Sequence, residues 1–192
     1  MARPRTFELE DAVNDAMQVF WEKGYVGASL PDLLKGTGLT RGSLYKAFHD
    51  KKALFLKALE TYDRSQVDAA VDHLSKSPGP GEGDRIETLF MSIVETVKSG
   101  DRRGCLLCSA AAGAANEDQD IAIAVEAMLA RMTKAFATAL SNRPSRPTRQ
   151  DDMDLQAAAL TAGYVGMRTL VRSGASIDLL DKAAHAIVRN TQ

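Results

Sequence analysis

The sequence predicts an all-α fold of about nine helices. Apolar residues recur at three- and four-residue spacing through most of the chain. Glycine, proline and capping residues interrupt that pattern at helix-length intervals. No stretch alternates apolar and polar residues, and no internal repeat is present.

Leu9, Val13, Ala16, Met17 and Phe20 place a first amphipathic helix at residues 8–24, with Thr6 as a candidate cap and Gly24 as its stop. Ser29 is a good N-cap for a short second helix, with Pro31 in its first turn and Asp32 near its positive end. Gly36 and Gly38 stop that helix. Thr40 caps a third over 41–47, and Asp50 caps a long fourth over about 51–76. At ~1.5 Å per residue the fourth helix is long enough to join two parts of the molecule. The breaker-rich run 77–83 follows. Further helices fall at about 84–99, 104–115, 118–141, 152–173 and 177–190, and residues 142–150 form a connection with two prolines.

The chain has 192 residues, of which 45% are hydrophobic and 26% charged, enough apolar content for a real core. No apolar run approaches the ~20 residues of a membrane span. The first residues lack the apolar stretch of a secretory signal. Two cysteines are too few for a disulfide framework, so a cytoplasmic protein with reduced thiols is expected. The formal charge of −1 hides an asymmetry. Residues 28–57 hold six Lys/Arg against two Asp/Glu, a local balance of +4. A basic segment on an acidic body fits a small nucleic-acid-binding module, or a solvated helix face.

Residues 29–48 carry the most information. Two short helices meet at Gly38, which can take the positive φ of a tight turn. Leu33, Leu39, Leu44 and Phe48 would hold them against the first helix through Phe20 and Tyr25. Thr40, Arg41, Gly42, Ser43, Tyr45 and Lys46 are left on the outward face, where hydroxyls, cations and a ring suit groove edges and phosphates.

The runs 20–25 (FWEKGY), 28–30 (ASL), 38–45 (GLTRGSLY) and 48–54 (FHDKKAL) resemble, in order and spacing, the TetR family of bacterial transcriptional regulators. Leu34 and Gly36 depart from its commonest pattern, and Gly36 is expected to weaken a short helix. The resemblance implies a DNA-binding head at residues 1–47 and an effector-binding, dimerising body at 48–192. It implies a homodimer on a double-stranded, palindromic DNA operator, released by a small-molecule effector, with repression as the default. Thr40, Arg41, Ser43 and Tyr45 match its base- and phosphate-contacting positions. Gly42 allows close approach to the groove, and Lys51 and Ser29 sit where helix N-termini can hold phosphates. Arg3 and Arg5 could reach a groove or merely solubilise the tip. His49 is either a phosphate contact or an exposed loop residue.

Past residue 76 the resemblance weakens. Phe90, Met91, Val94, Met128, Met132, Tyr164 and Met167 are candidates for an apolar effector pocket, or ordinary core. Cys105 and Cys108 lie three residues apart after Arg102 and Arg103. They join the pocket list as a redox or electrophile sensor whose thiol pKa the two arginines would lower, or as packed inert thiols. Leu155, Ala159, Ala162, Gly163, Gly166 and Leu170, with Leu180, Ala183 and Ile187, suit close helix packing between subunits or within one. With His49, His73 and His185 the only histidines, no metal site and no cofactor is expected. No nucleophile elbow or strand-borne phosphate loop marks an enzyme. A helical dimeric binding protein that ignores DNA is the remaining alternative.

Overall fold

The computed structural model describes residues 5–77, 79, 83–143 and 149–190. Arg3 and the side chain of Arg5 lie outside the described residues, as does most of the two connections at 77–83 and 142–150. Among the described residues there are nine helices and no strand. They are α1 (Arg5–Gly27), α2 (Leu30–Thr37), α3 (Arg41–Phe48), α4 (Lys51–Ser75), α5 (Arg85–Lys98), α6 (Leu106–Ala112), α7 (Gln119–Ser141), α8 (Gln150–Arg172) and α9 (Ile177–Arg189).

Local chemistry sets the ends. Gly24 breaks α1 with φ 74°, and one further turn carries the chain to Gly27. Ser29 caps α2 reciprocally: its hydroxyl accepts from the Asp32 N–H, and the Asp32 carboxylate accepts from the Ser29 N–H at 3.0 Å. Gly38 turns the chain in the left-handed region (φ 66°), and Thr40 caps α3 by accepting from the Ser43 N–H. Asp50, Asp84, Asp118 and Ser176 cap α4, α5, α7 and α9 in the same way.

α1 packs on α2 and on the first half of α4, with α3 closing the unit. Phe20, Leu33, Leu44 and Phe55 are fully buried there, and the Phe20 and Phe55 rings meet edge to face at 4.9 Å. Gly36 also has a packing role that the sequence did not reveal. A Cβ at this position would lie 2.4 Å from Cγ2 of Val19, so the bare backbone lets α2 press against α1. The small residue is a packing requirement as well as a weak helix former.

The body is built on α7 against α8, α5 against α9, and the second half of α4 against α7. Phe90, Phe136 and Tyr164 form one aromatic cluster with centroids 6.1–6.4 Å apart. Within α4, residues Asp63–Val67 form a π turn that periodicity did not reveal. Arg131 of α7 bonds the carboxylates of Asp63 and Asp68, one at each end of that turn.

The helix expected over 104–115 is shorter. Cys105 is the extended N-cap of α6, and Gly113 (φ −140°, ψ −82°) separates α6 from a 3-10 turn, Ala114–Asn116.

Candidate nucleic-acid interface and cavity

The second helix-turn-helix segment presents one polar face. Thr40, Arg41, Gly42, Ser43, Tyr45 and Lys46 are all exposed, while Leu44 and Phe48 on the opposite side are buried. Arg41 sits 5.9 Å from the Tyr45 ring centroid, so cation and ring form one patch. The Thr40 hydroxyl donates to Ser43 Oγ at 2.9 Å while capping the helix, which fixes both side chains at the entry of α3. No atom lies within 4 Å of a Cβ built on Gly42, so glycine there leaves room for an approaching surface.

Two residues at helix starts flank that face. Ser29 is exposed at the start of α2. At the start of α4, the Lys51 ammonium lies 4.8 Å over the Tyr25 ring, and partial burial lowers its pKa. The Asp50 carboxylate already takes the Ala53 N–H at 2.7 Å, leaving the earlier amides of that helix end. Lys52 is committed elsewhere, to Asp118 at 3.0 Å and Asp120 at 2.6 Å. His49 is the C-cap of α3 with φ 66°, a strained position for a non-glycine residue.

A cavity of about 220 Å³ opens in the body beside α1. Trp21 of α1, Tyr62, Gln66 and Val67 of α4, Cys105, and Tyr164 and Arg168 of α8 contribute to its wall. The π turn therefore forms part of this wall. Of the residues expected in a pocket, Cys105, Met132 and Tyr164 line it. Phe90, Val94, Met128 and Met167 are buried core, and Met91 is half-buried beside that core. Cys108 lines a neighbouring recess with Tyr25 and Arg172.

The thiols differ in environment. Both are buried, and the Tyr62 hydroxyl donates to Cys105 Sγ at 3.2 Å. A hydrogen bond from Cys108 and that phenol hold the Cys105 thiol below its ordinary pKa, while the same pairing and burial push Cys108 up. The cation near them is Arg168, which corrects the expectation of Arg102 and Arg103. Gly104 (φ 73°) redirects the chain between the arginines and the thiols, and its missing Cβ admits the Arg168 carbonyl, 2.8 Å from where that carbon would be. Arg103 instead pairs with Asp101 and stacks on Trp21, and Arg102 donates to the Ala175 carbonyl at 2.9 Å. Arg168 itself and the pair Trp21–Tyr62 escaped the sequence reading. Helical spacing on α8 could have flagged Arg168, four residues after Tyr164 on one face.

On α8 and α9, Leu155, Ala159, Ala162 and Gly166 are exposed, and Leu155 and Leu179 are 71% and 47% accessible. Gly163, Leu170, Ala183 and Ile187 are half-buried. A Cβ on Gly163 would come within 3.1 Å of Ile187, so this glycine serves α8–α9 packing inside one chain. Leu180 is fully buried within its own chain and has no surface for a partner, which corrects its place among interface residues. Among the described residues no cluster of His, Cys, Asp or Glu could hold a metal ion, and no helix is long and apolar enough to cross a membrane.

An exposed polar recognition helix, fixed by a glycine turn and backed by a helical body with a cavity, defines a helix-turn-helix regulator. Residues 13–58 match the family model for bacterial regulatory proteins of the TetR family. The HTH-type transcriptional repressor ComR of Escherichia coli (strain K12) is 28% identical, with 97% of this chain and 90% of that protein covered. The repressor BdcR of the same organism is 28% identical over 93% of this chain and 86% of its own length. A cysteine-substituted form of the TetR regulator CifR, solved with 26-bp double-strand operator DNA, superposes with a TM-score of 0.80. It is 26% identical, and 97% and 98% of the two chains are covered. The reduced form of E. coli NemR shares the fold, with a TM-score of 0.75 at 20% identity over 94% and 95% of the chains. Residues 13–58 are thus a TetR-type helix-turn-helix segment, and the relatives and the shared fold support a DNA-binding transcriptional regulator as the class of the chain.

Proposed function

We propose that the protein is a repressor that binds a palindromic operator as a homodimer and leaves it when a small molecule fills the cavity beside α1. Residues 1–47 form the DNA-binding head and residues 48–192 the sensing and pairing body. Thr40, Arg41, Gly42, Ser43, Tyr45 and Lys46 meet the major groove, and Ser29 and Lys51 meet phosphates. The subunits pair through α8 and α9, where Leu155 and Leu179 lie open. The carrying observation is that one cavity joins Trp21 of the head to Tyr62, Tyr164 and Arg168 of the body. A ligand there touches both parts, so it can favour one spacing of the two heads over another.

A mobility-shift assay with the DNA upstream of its own gene, at two salt concentrations, tests this reading. Specific retardation that falls steeply with salt supports it. Equal competition by unrelated duplex DNA contradicts it. Arg41→Ala and Tyr45→Ala should weaken retardation while leaving the melting curve unchanged, because both side chains are exposed.

A second reading has the effector act covalently or oxidatively at Cys105. The Tyr62 donor and the Cys108 hydrogen bond favour it, since both stabilise the reactive thiolate. Operator binding that is lost with hydrogen peroxide, restored by reductant and insensitive in Cys105→Ser would support it.

A further inference from the structure

We propose that the cavity beside α1 is built for a small organic carboxylate, with Arg168 as the group that receives its anionic end. The proposal deepens the effector reading above and rests on it.

The charge balance of the wall is one-sided. Arg168 carries a formal positive charge into the cavity, and no Asp or Glu is among the described residues that line it. No carboxylate of the described residues lies within ion-pair distance of Arg168: phenols and thiols stand beside it, and the Asp101 carboxylate, itself paired with Arg103, acts on it only from further away. Its Nε donates to the Tyr164 hydroxyl at 3.2 Å, and its guanidinium carbon lies 5.2 Å from that ring's centroid. These contacts hold the cation in place without neutralising it, and they leave the two terminal nitrogens for a ligand. A half-buried guanidinium with no carboxylate paired to it is less well compensated than one in an ion pair, so an entering anion is favoured there. A carboxylate matches the planar fork with two parallel hydrogen bonds.

The phenols add direction. The Tyr164 oxygen accepts from Arg168, and no acceptor among the described residues takes its proton. That proton is free to donate to the same anion. Tyr62 is different, because its proton is already given to Cys105.

Size and lining set the rest of the molecule. A cavity of ~150 Å³ is enough to hold benzene. The 220 Å³ here accommodates one ring bearing a short acid arm. Trp21, Tyr62 and Leu89 add ring faces and apolar surface to the same wall. The favoured class is therefore an aromatic monocarboxylate, and the matching amide, equal in shape but uncharged, is disfavoured.

Isothermal titration of the full-length protein with benzoate and phenylacetate, against benzamide and phenylacetamide, tests the assignment. Trp21 is the only tryptophan and lines the cavity, so its fluorescence gives a second readout. One of the acids should bind about tenfold or more tighter than its amide. Arg168→Gln should erase that preference, Arg168→Lys should keep part of it, and Tyr164→Phe should weaken the acid alone. Thermal melts establish that each variant is folded. Equal affinity for acid and amide, a preference that survives in folded Arg168→Gln, or no binding by either acid would overturn the proposal. The operator assay on the same preparation separates the two readings. Specific DNA binding with no carboxylate affinity sinks only the ligand class. Carboxylate affinity without operator binding sinks the repressor reading instead.

Discussion

The Arg103 guanidinium lies 4.1 Å from the centroid of the Trp21 ring, whose plane meets Tyr62 edge-on at 5.0 Å. Trp21 belongs to the helix-turn-helix unit, Arg103 to the loop before α6, and Tyr62 to the long α4. One indole is thus held between a cation on one element and a cavity-lining phenol on another. The Trp21 Nε1 donates to the Gly104 carbonyl at 3.3 Å, and Arg103 reaches Gln18 of α1 at 2.7 Å. Movement of the cavity wall therefore bears directly on the helix that carries the DNA-reading unit.

Arg172 fastens the same joint from α8. Its guanidinium donates to the carbonyls of Trp21 at 2.8 Å, Arg103 at 3.0 Å and Glu22 at 3.1 Å. These carbonyls lie near the α1 break and in the loop, where backbone acceptors need outside partners. Arg172→Ala should lower stability by about 1–2 kcal/mol, near the low end because the side chain is exposed. Urea unfolding measures this, and operator affinity should change at the same time. An unaltered midpoint with unaltered affinity would mean that the joint does not depend on these bonds.

Gly36→Ala should cost about 1–3 kcal/mol, although alanine is the better helix former. The new methyl would fall 2.4 Å from Val19 Cγ2, and that valine is packed against the core. Val19→Ala in the same chain should recover much of the loss, since it removes the colliding atom. Comparison of the two single variants and the double in urea provides the check. A stabilised Gly36→Ala single variant would show that α2 shifts away at little cost.

Local features of this fold were legible in the sequence because their causes are local. Ser29, Thr40 and Asp50 are caps whose partners lie three residues away, and Gly38 needed only its own φ. The exposed polar face of α3 followed from Leu44 and Phe48 being apolar and their neighbours polar. Features set by distant partners were not legible. The π turn at Asp63–Val67 is clamped by Arg131 across the molecule, and one turn barely disturbs the apolar rhythm. The spacing of Arg168 from Tyr164 is visible in the sequence, but the thiols beside it come from another element and only the fold brings them together. Leu180 and Leu179 are adjacent, yet one is buried and one open, and only the rotation of α9 against α5 decides which.

Cys105 should be the more easily alkylated thiol once reagent enters the cavity. Its pKa is lowered by the Cys108 and Tyr62 hydrogen bonds, whereas that of Cys108 is raised. Tyr62→Phe removes one donor with little change in volume. The midpoint of the pH–rate profile for iodoacetamide at Cys105, followed by peptide mass mapping, should move upward in this variant. Rates that are equal at both cysteines, or a midpoint that stays put, would remove Tyr62 from the account.

Acid should loosen the joint through Asp101. Its carboxylate accepts from Arg103 Nε at 3.1 Å, from Arg103 NH2 at 2.7 Å and from the Arg103 N–H at 2.9 Å. The Arg103 side chain, opposed by partial burial, lowers the Asp101 pKa. A carboxyl whose folded pKa is depressed stabilises the fold above its unfolded value. As the pH falls below that value, the unfolded chain takes up the proton more readily, and the contribution drains away. The wild type should therefore lose its stability advantage over Asp101→Asn as the pH drops below about 5. The pair is partly exposed, so the effect is modest and best read as a difference between two proteins, in which the other carboxylates cancel. Urea midpoints across a pH series give that difference, and Trp21 fluorescence reports release of Arg103 from the ring. A gap between the two proteins that stays constant down to acid pH would show that Asp101 does not hold Arg103 in place.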